Sequence, residues 1–280
     1  MKRERFRGRT ACLVLAAGLT VLPAAALAVA TPVTVRVLAQ DAKFIGDSMG
    51  GARVVIRNAD SGEVMAAGRT SGGTGDTEAI MRRPRDRAGA WAAGSAAFAA
   101  TLDIDRPTPV RIDVKGPLKY PEAARETRTT AWLLPGVPLG GEHGWVVELP
   151  GLVVAPAPVE VTAGALSVSS YVAPLCGCPI AADGLWPAAN YEVTALLYED
   201  GEPVTQTTLA HTGEVGRFTG TLAAPPAGEY MLWVQARDVR SGSAGAASQR
   251  LTLEAGELTA ATGESMPTAT TAPSPAASAP

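Results

Sequence analysis

The chain has 280 residues, of which 24 are basic and 27 acidic; its formal net charge is −3 and 46% of it is hydrophobic. A mildly acidic chain argues against a nucleic-acid partner, which needs clustered basic surface, and its length fits two domains of ordinary size. Beyond residues 11–28 no apolar run is long enough to cross a bilayer, so no transmembrane segment is expected in the mature chain.

Lys2, Arg3, Arg5, Arg7 and Arg9 precede an apolar run over residues 11–28, which ends on small residues at Ala26 and Ala28. A basic start, a short apolar stretch and an Ala-x-Ala site predict a signal peptide over residues 1–28. The run is short for a membrane anchor, Ala-rich and interrupted by Pro23. Cys12 leaves with the peptide, and a periplasmic or secreted location follows. Cleavage leaves 19 basic and 26 acidic residues, a net charge of −7. The charge is uneven: residues 31–155 carry 15 basic and 14 acidic residues, whereas residues 156–258 carry 4 and 11.

Val33-Thr34-Val35-Arg36-Val37-Leu38 alternates apolar and polar residues, as a half-buried strand does. After a Gly-containing loop, residues 52–57 and 63–69 read as two more strands around the turn Asn58-Ala59-Asp60-Ser61-Gly62. Further strands are predicted over 97–104, 109–114, 129–134 and 144–149. The best helix candidate, residues 88–99, is weakened by Gly89 and Gly94. The stretches Val33-Thr34-Val35-Arg36-Val37, Gly51-Ala52-Arg53-Val54-Val55-Ile56, Gly62-Glu63-Val64 and Gly68-Arg69-Thr70 resemble the opening of transthyretin-like, carboxypeptidase-regulatory-like domains. That resemblance covers about 40 residues and implies a small, generally non-catalytic β-sandwich; the long insertion over residues 71–94 departs from it.

Residues 150–158 hold three prolines among small apolar residues and read as a semi-rigid linker. Strands are then expected over 165–172, 191–198, 204–209, 217–222, 229–237 and 248–253, separated by Gly- and Pro-containing turns. Gly216-Arg217-Phe218-Thr219-Gly220-Thr221-Leu222, Gly228-Glu229-Tyr230 and Val234-Gln235-Ala236-Arg237-Asp238 are similar to bacterial immunoglobulin-like domains. The expected organisation is all-β: two small antiparallel β-sandwich domains in tandem. A signal peptide occupies 1–28, a transthyretin-like sandwich 29–155, an immunoglobulin-like sandwich 156–258, and a disordered Thr/Ala/Ser/Pro-rich tail 259–280.

Few stretches carry chemistry. Gly46-Asp47-Ser48-Met49-Gly50 fits G-x-S-x-G, but a strand follows it instead of a helix, and only His143 and His211 are available as bases. Ser71-Gly72-Gly73-Thr74-Gly75-Asp76-Thr77 lacks the Gly-Lys-Ser/Thr of a phosphate loop and reads as a surface loop. Arg82-Arg83-Pro84-Arg85-Asp86-Arg87 reads as solvated loop, with docking to an acidic partner as the alternative. Trp132, Trp145, Trp186, Tyr191, Tyr230 and Trp233 read as packing residues, not as a sugar-binding platform.

Cys176-Gly177-Cys178-Pro179 remains as the chemically pointed feature. Residues i and i+2 of an extended segment project to one face, yet their Cα atoms then stand roughly 6.6–7.2 Å apart, at the limit for a disulfide. A bridge therefore needs a bend at Gly177, and export to an oxidising compartment favours one. Three readings stay open: a local structural clip, a redox-active disulfide, or a soft-metal site for copper at Cys176 and Cys178, with His211 or a methionine as third ligand. The expected function is a non-enzymatic binding or accessory protein, with no cofactor other than copper implied. Its partner would be another cell-envelope protein or a metal ion. A thiol–disulfide protein and a purely structural envelope module are the alternatives.

Overall fold

The computed structural model describes residues 27–84, 91–162, 164–254 and 257–260. The predicted signal peptide up to residue 26 and the tail beyond residue 260 lie outside the described residues. Among the described residues, no helix is long and apolar enough to cross a membrane. The protein is all-β.

Among the described residues seven strands come first: β1 (Val29–Ala39), β2 (Arg53–Asn58), β3 (Val64–Arg69), β4 (Phe98–Ile104), β5 (Thr108–Gly116), β6 (Arg125–Leu133) and β7 (Trp145–Leu149). They form a three-stranded sheet of order β4-β1-β7 and a four-stranded sheet of order β3-β2-β5-β6. The period-2 alternation of β1 turns Val33, Val35 and Val37 inward; β5 does the same with Val110, Ile112 and Val114. Burying each such side chain contributes roughly 1.5–3 kcal/mol. One pairing departs from the antiparallel expectation: β1 runs parallel to β7, with Val35 opposite Trp145 and Ala39 opposite Leu149.

Ten strands follow: β8 (Leu152–Pro156), β9 (Glu160–Thr162), β10 (Ala165–Pro174), β11 (Tyr191–Glu199), β12 (Glu202–Thr208), β13 (Ala210–His211), β14 (Arg217–Ala223), β15 (Gly228–Asp238), β16 (Ala244–Glu254) and β17 (Glu257–Ala260). One sheet has the order β13-β14-β10-β8 with β9 also on β10, and the other has the order β12-β11-β15-β16-β17. In place of the linker expected over residues 150–158, Leu152-Val153-Val154 is buried and β8 pairs with β10. The apolar triplet outweighs its flanking prolines, which stand at strand ends where a missing N–H is tolerated. The last strand, β17, extends two residues into the stretch expected to be tail.

The weakened helix candidate over residues 88–99 is not helical among its described residues: residues 91–94 make turns and Phe98 begins β4. Among its described residues the insertion holds one helical turn, Glu78–Arg82, whose Ile80 packs in a small satellite core with Leu38, Phe44 and Ala92. The principal core is one continuous cluster running through both halves, from Val33 and Ile56 to Val193 and Leu232.

Candidate functional site

The Cys176–Cys178 loop sits where the two halves meet. β10 ends at Pro174, paired with Leu152 of β8, and the chain then turns on itself. Gly177 supplies the turn with φ +74°, a conformation that costs a residue with a Cβ roughly 1–2 kcal/mol. Its N–H donates to the Pro174 carbonyl at 2.8 Å. The bend brings the two cysteine Cα atoms to 5.4 Å, inside the usual disulfide range, and Cys176 and Cys178 are bonded. Both are buried, at 1% and 5% exposure, between the fully buried Leu175 and Ile180.

The other wall of this site comes from the first half. The G-x-S-x-G stretch forms a single 3-10 turn, Asp47–Met49, with Ser48 exposed and Met49 turned inward. A Cβ placed on Gly177 would stand 2.6 Å from the Met49 sulfur, so the thioether lies directly over the cysteine loop. The Met49 backbone is held in turn: its carbonyl accepts from Lys119 N–H at 3.0 Å. Around this contact, Trp186 Nε1 donates to the Asp41 carbonyl at 3.2 Å and Ser243 Oγ to Gln40 Oε1 at 2.9 Å. The Tyr120 and Tyr171 rings stack with centroids 6.3 Å apart. Burial first, and then the neighbouring Tyr120, push the Tyr171 hydroxyl up to about 12. Tyr191 is also raised, by burial and then by the Asp238 and Asp41 carboxylates.

His211 is not brought to this loop. It lies opposite Phe218 on β14, which lies opposite Ser170 on β10, two strands across from a point well short of Cys176. Its ring meets Phe218 edge-on with centroids 5.3 Å apart, and its Nδ1 accepts from Gly213 N–H at 3.2 Å. Among the described residues, no three His, Cys, Asp or Glu side chains gather into a group able to hold a metal. The His143 ring lies tilted against Trp91, with centroids 5.8 Å apart.

The other sequence candidates resolve structurally. The Ser71–Thr77 loop is pinned by Asp47 Oδ2, which accepts from Gly72 N–H at 2.9 Å, and by Lys43 Nζ donating to Thr77 Oγ1 at 3.0 Å. In the basic stretch, Arg82 pairs with Glu78, while residues 85–87 lie outside the described residues. Trp186, Tyr191 and Tyr230 are buried as expected, but Trp132 and Trp233 are 65% and 41% exposed. Both occupy outward positions in the alternation of their strands, which is why strand membership alone misplaced them in the core.

No family model matches the chain, and no curated protein is recognisably similar. Among solved structures, a DUF3823 family protein from Bacteroides ovatus is similar at 11% identity and a TM-score of 0.31, over 79% of this chain and 100% of that one. A candidate carbohydrate-binding protein from Bacteroides uniformis follows at 8% identity and a TM-score of 0.27, over 80% and 99%. The chicken interferon gamma receptor alpha chain is similar at 9% identity and a TM-score of 0.27, over 72% and 84%. Scores this low define no shared function.

Proposed function

We propose that the protein is an exported, non-enzymatic binding or accessory module in which the Cys176–Cys178 bridge is a structural clip at the junction of two sandwiches, the first transthyretin-like and the second immunoglobulin-like. The observation that carries this reading is the burial of both cysteines in a loop whose Gly177 packs against Met49, a residue of the other half. A disulfide exchanges by in-line attack of an incoming thiolate on sulfur, which requires access. Here the sulfurs face the protein's own core. The signal-peptide pattern supports export, and an oxidising compartment would keep the clip closed. Turnover of a scrambled-disulfide substrate tests the reading: the clip gives none, and catalytic reshuffling would overturn it in favour of the thiol–disulfide alternative.

A second reading rests on the Met49 thioether. Once reduced, the two thiolates would offer soft donors suited to Cu(I), and the Met49 thioether, packed against Gly177 between them, is the methionine that could serve as third ligand in place of His211. Reduced protein competing with a chromophoric Cu(I) chelator checks it. Uptake weakened by M49L but not by H211A supports the site, and no uptake eliminates it.

A further inference from the structure

The outer face of the β3-β2-β5-β6 sheet carries a charge pattern unlike the rest of this acidic protein. Register places Arg69, Arg53, Lys115 and Glu126 in one row across the four strands. The next row holds Val55, Asp113 and Arg128, and the one beyond it Arg57, Arg111 and Thr130. Six cations and two carboxylates therefore share one flat face, with neighbouring strands about 4.8 Å apart and successive outward residues about 6.8 Å apart.

At its centre three guanidiniums converge on one carboxylate. Arg128 Nε lies 2.6 Å from Asp113 Oδ1, while Arg111 Nε and Arg57 Nε lie 3.3 and 3.7 Å from Oδ2. Each arginine meets the carboxylate through Nε, so its terminal amino groups are left for another acceptor, apart from a 3.4 Å contact of Arg57 Nη1 with the Gly62 carbonyl. Among the described residues, Arg53 and Lys115 make no ion pair. One carboxylate thus orients three forks and neutralises only one of them. The same face continues along β6 through Thr130 to Trp132, 65% exposed and opposite Pro109.

We propose that this face binds an acidic polysaccharide, with Arg57, Arg111, Arg128, Arg53 and Lys115 taking its anionic groups and Trp132 stacking on a sugar ring. Guanidinium forks suit carboxylate and sulfate geometry, and holding them in place beforehand lowers the ordering cost of binding. That arrangement favours discrete anions on a polymer over an anionic membrane, whose diffuse attraction needs no oriented forks. The face is separate from the cysteine loop, so its fate is independent of the reading given above.

The test is binding of the full mature chain to immobilised heparin and polygalacturonate at about 0.1 M salt, where screening acts beyond about 10 Å. Duplex DNA and phosphatidylglycerol vesicles serve as competitors. The expected result is binding to at least one polysaccharide, weakened about tenfold or more by R111Q/R128Q and by W132A, each shown by its melting curve to remain folded at the assay temperature. Binding to neither polysaccharide overturns the proposal, as does equal or tighter binding to DNA or vesicles. Retention insensitive to W132A also overturns it, because charge alone then explains the contact. Salt-sensitive self-association abolished by R111Q/R128Q, without polysaccharide binding, would assign the face to the acidic half of a second copy instead.

Discussion

Reducing the Cys176–Cys178 bridge tests its role as a clip quantitatively. The closed loop contains three residues, so the chain-entropy relation assigns it only about 1.6 kcal/mol at room temperature. For a protein of this size, that corresponds to a drop in melting temperature of roughly 3–6 °C. Replacing both cysteines by alanine adds the loss of two buried sulfurs, about 1 kcal/mol each, for roughly 3.5 kcal/mol in all. Serine would cost more, since each buried hydroxyl needs a partner the apolar loop does not offer. The assay is thermal and denaturant unfolding of three samples: oxidised protein, protein reduced in denaturant and refolded with reductant, and C176A/C178A. The order expected is oxidised above reduced above double alanine. A reduced protein as stable as the oxidised one would refute the clip.

Three other outcomes follow from the geometry. Gly177→Ala should destabilise by about 1–2 kcal/mol through its positive φ, and by more to the extent that its new Cβ, 2.6 Å from the Met49 sulfur, displaces that side chain; denaturant midpoints decide. Asp113 sets a pH dependence: burial alone would raise its carboxyl, but the Arg128 hydrogen bond and the Arg111 and Arg128 charges outweigh burial and hold it below its ordinary value. Its folded pKa thus lies below the unfolded one, so its stabilisation is present above about pH 4 and fades as pH falls through the folded value. D113N should therefore be less stable than the parent at neutral pH and converge with it in acid. Tyr171 is the opposite case: its hydroxyl is raised to about 12, so its contribution is intact below about 10 and lost as pH rises through the folded value. Phenolate absorbance should show late-titrating tyrosines, Tyr191 among them, and one fewer of them in Y171F.

Strands with a clean alternation, such as β1, β5 and β15, were legible because burial on one face leaves a period of two in the sequence. β8 was not, since Leu152-Val153-Val154 between prolines is locally compatible with either linker or strand, and only its pairing with β10 decides. The parallel match of β1 with β7 has no local signature, because more than a hundred residues separate the partners. At the cysteine loop, the need for a bend at Gly177 could be read from chain geometry. The Met49 contact could not, because it joins two loops from different sheets. The convergence of Arg57, Arg111 and Arg128 was hidden likewise: each arginine is an unremarked outward residue until the register of three strands aligns them.

The junction between β7 and β8 consists of Pro150 and Gly151 alone, with Leu149 and Leu152 on either side both buried. A hinge needs slack backbone, and this crossing has none to give. Cutting the chain there would strip cover from the apolar side chains of both fragments, so dissection into separately expressed halves should yield aggregating material. For anyone placing a fluorophore, a tag or a cleavage site, the midpoint of the sequence is the wrong address. The exposed turn at Asp200-Gly201, far from the cysteine loop and from the arginine-bearing sheet, is a better one.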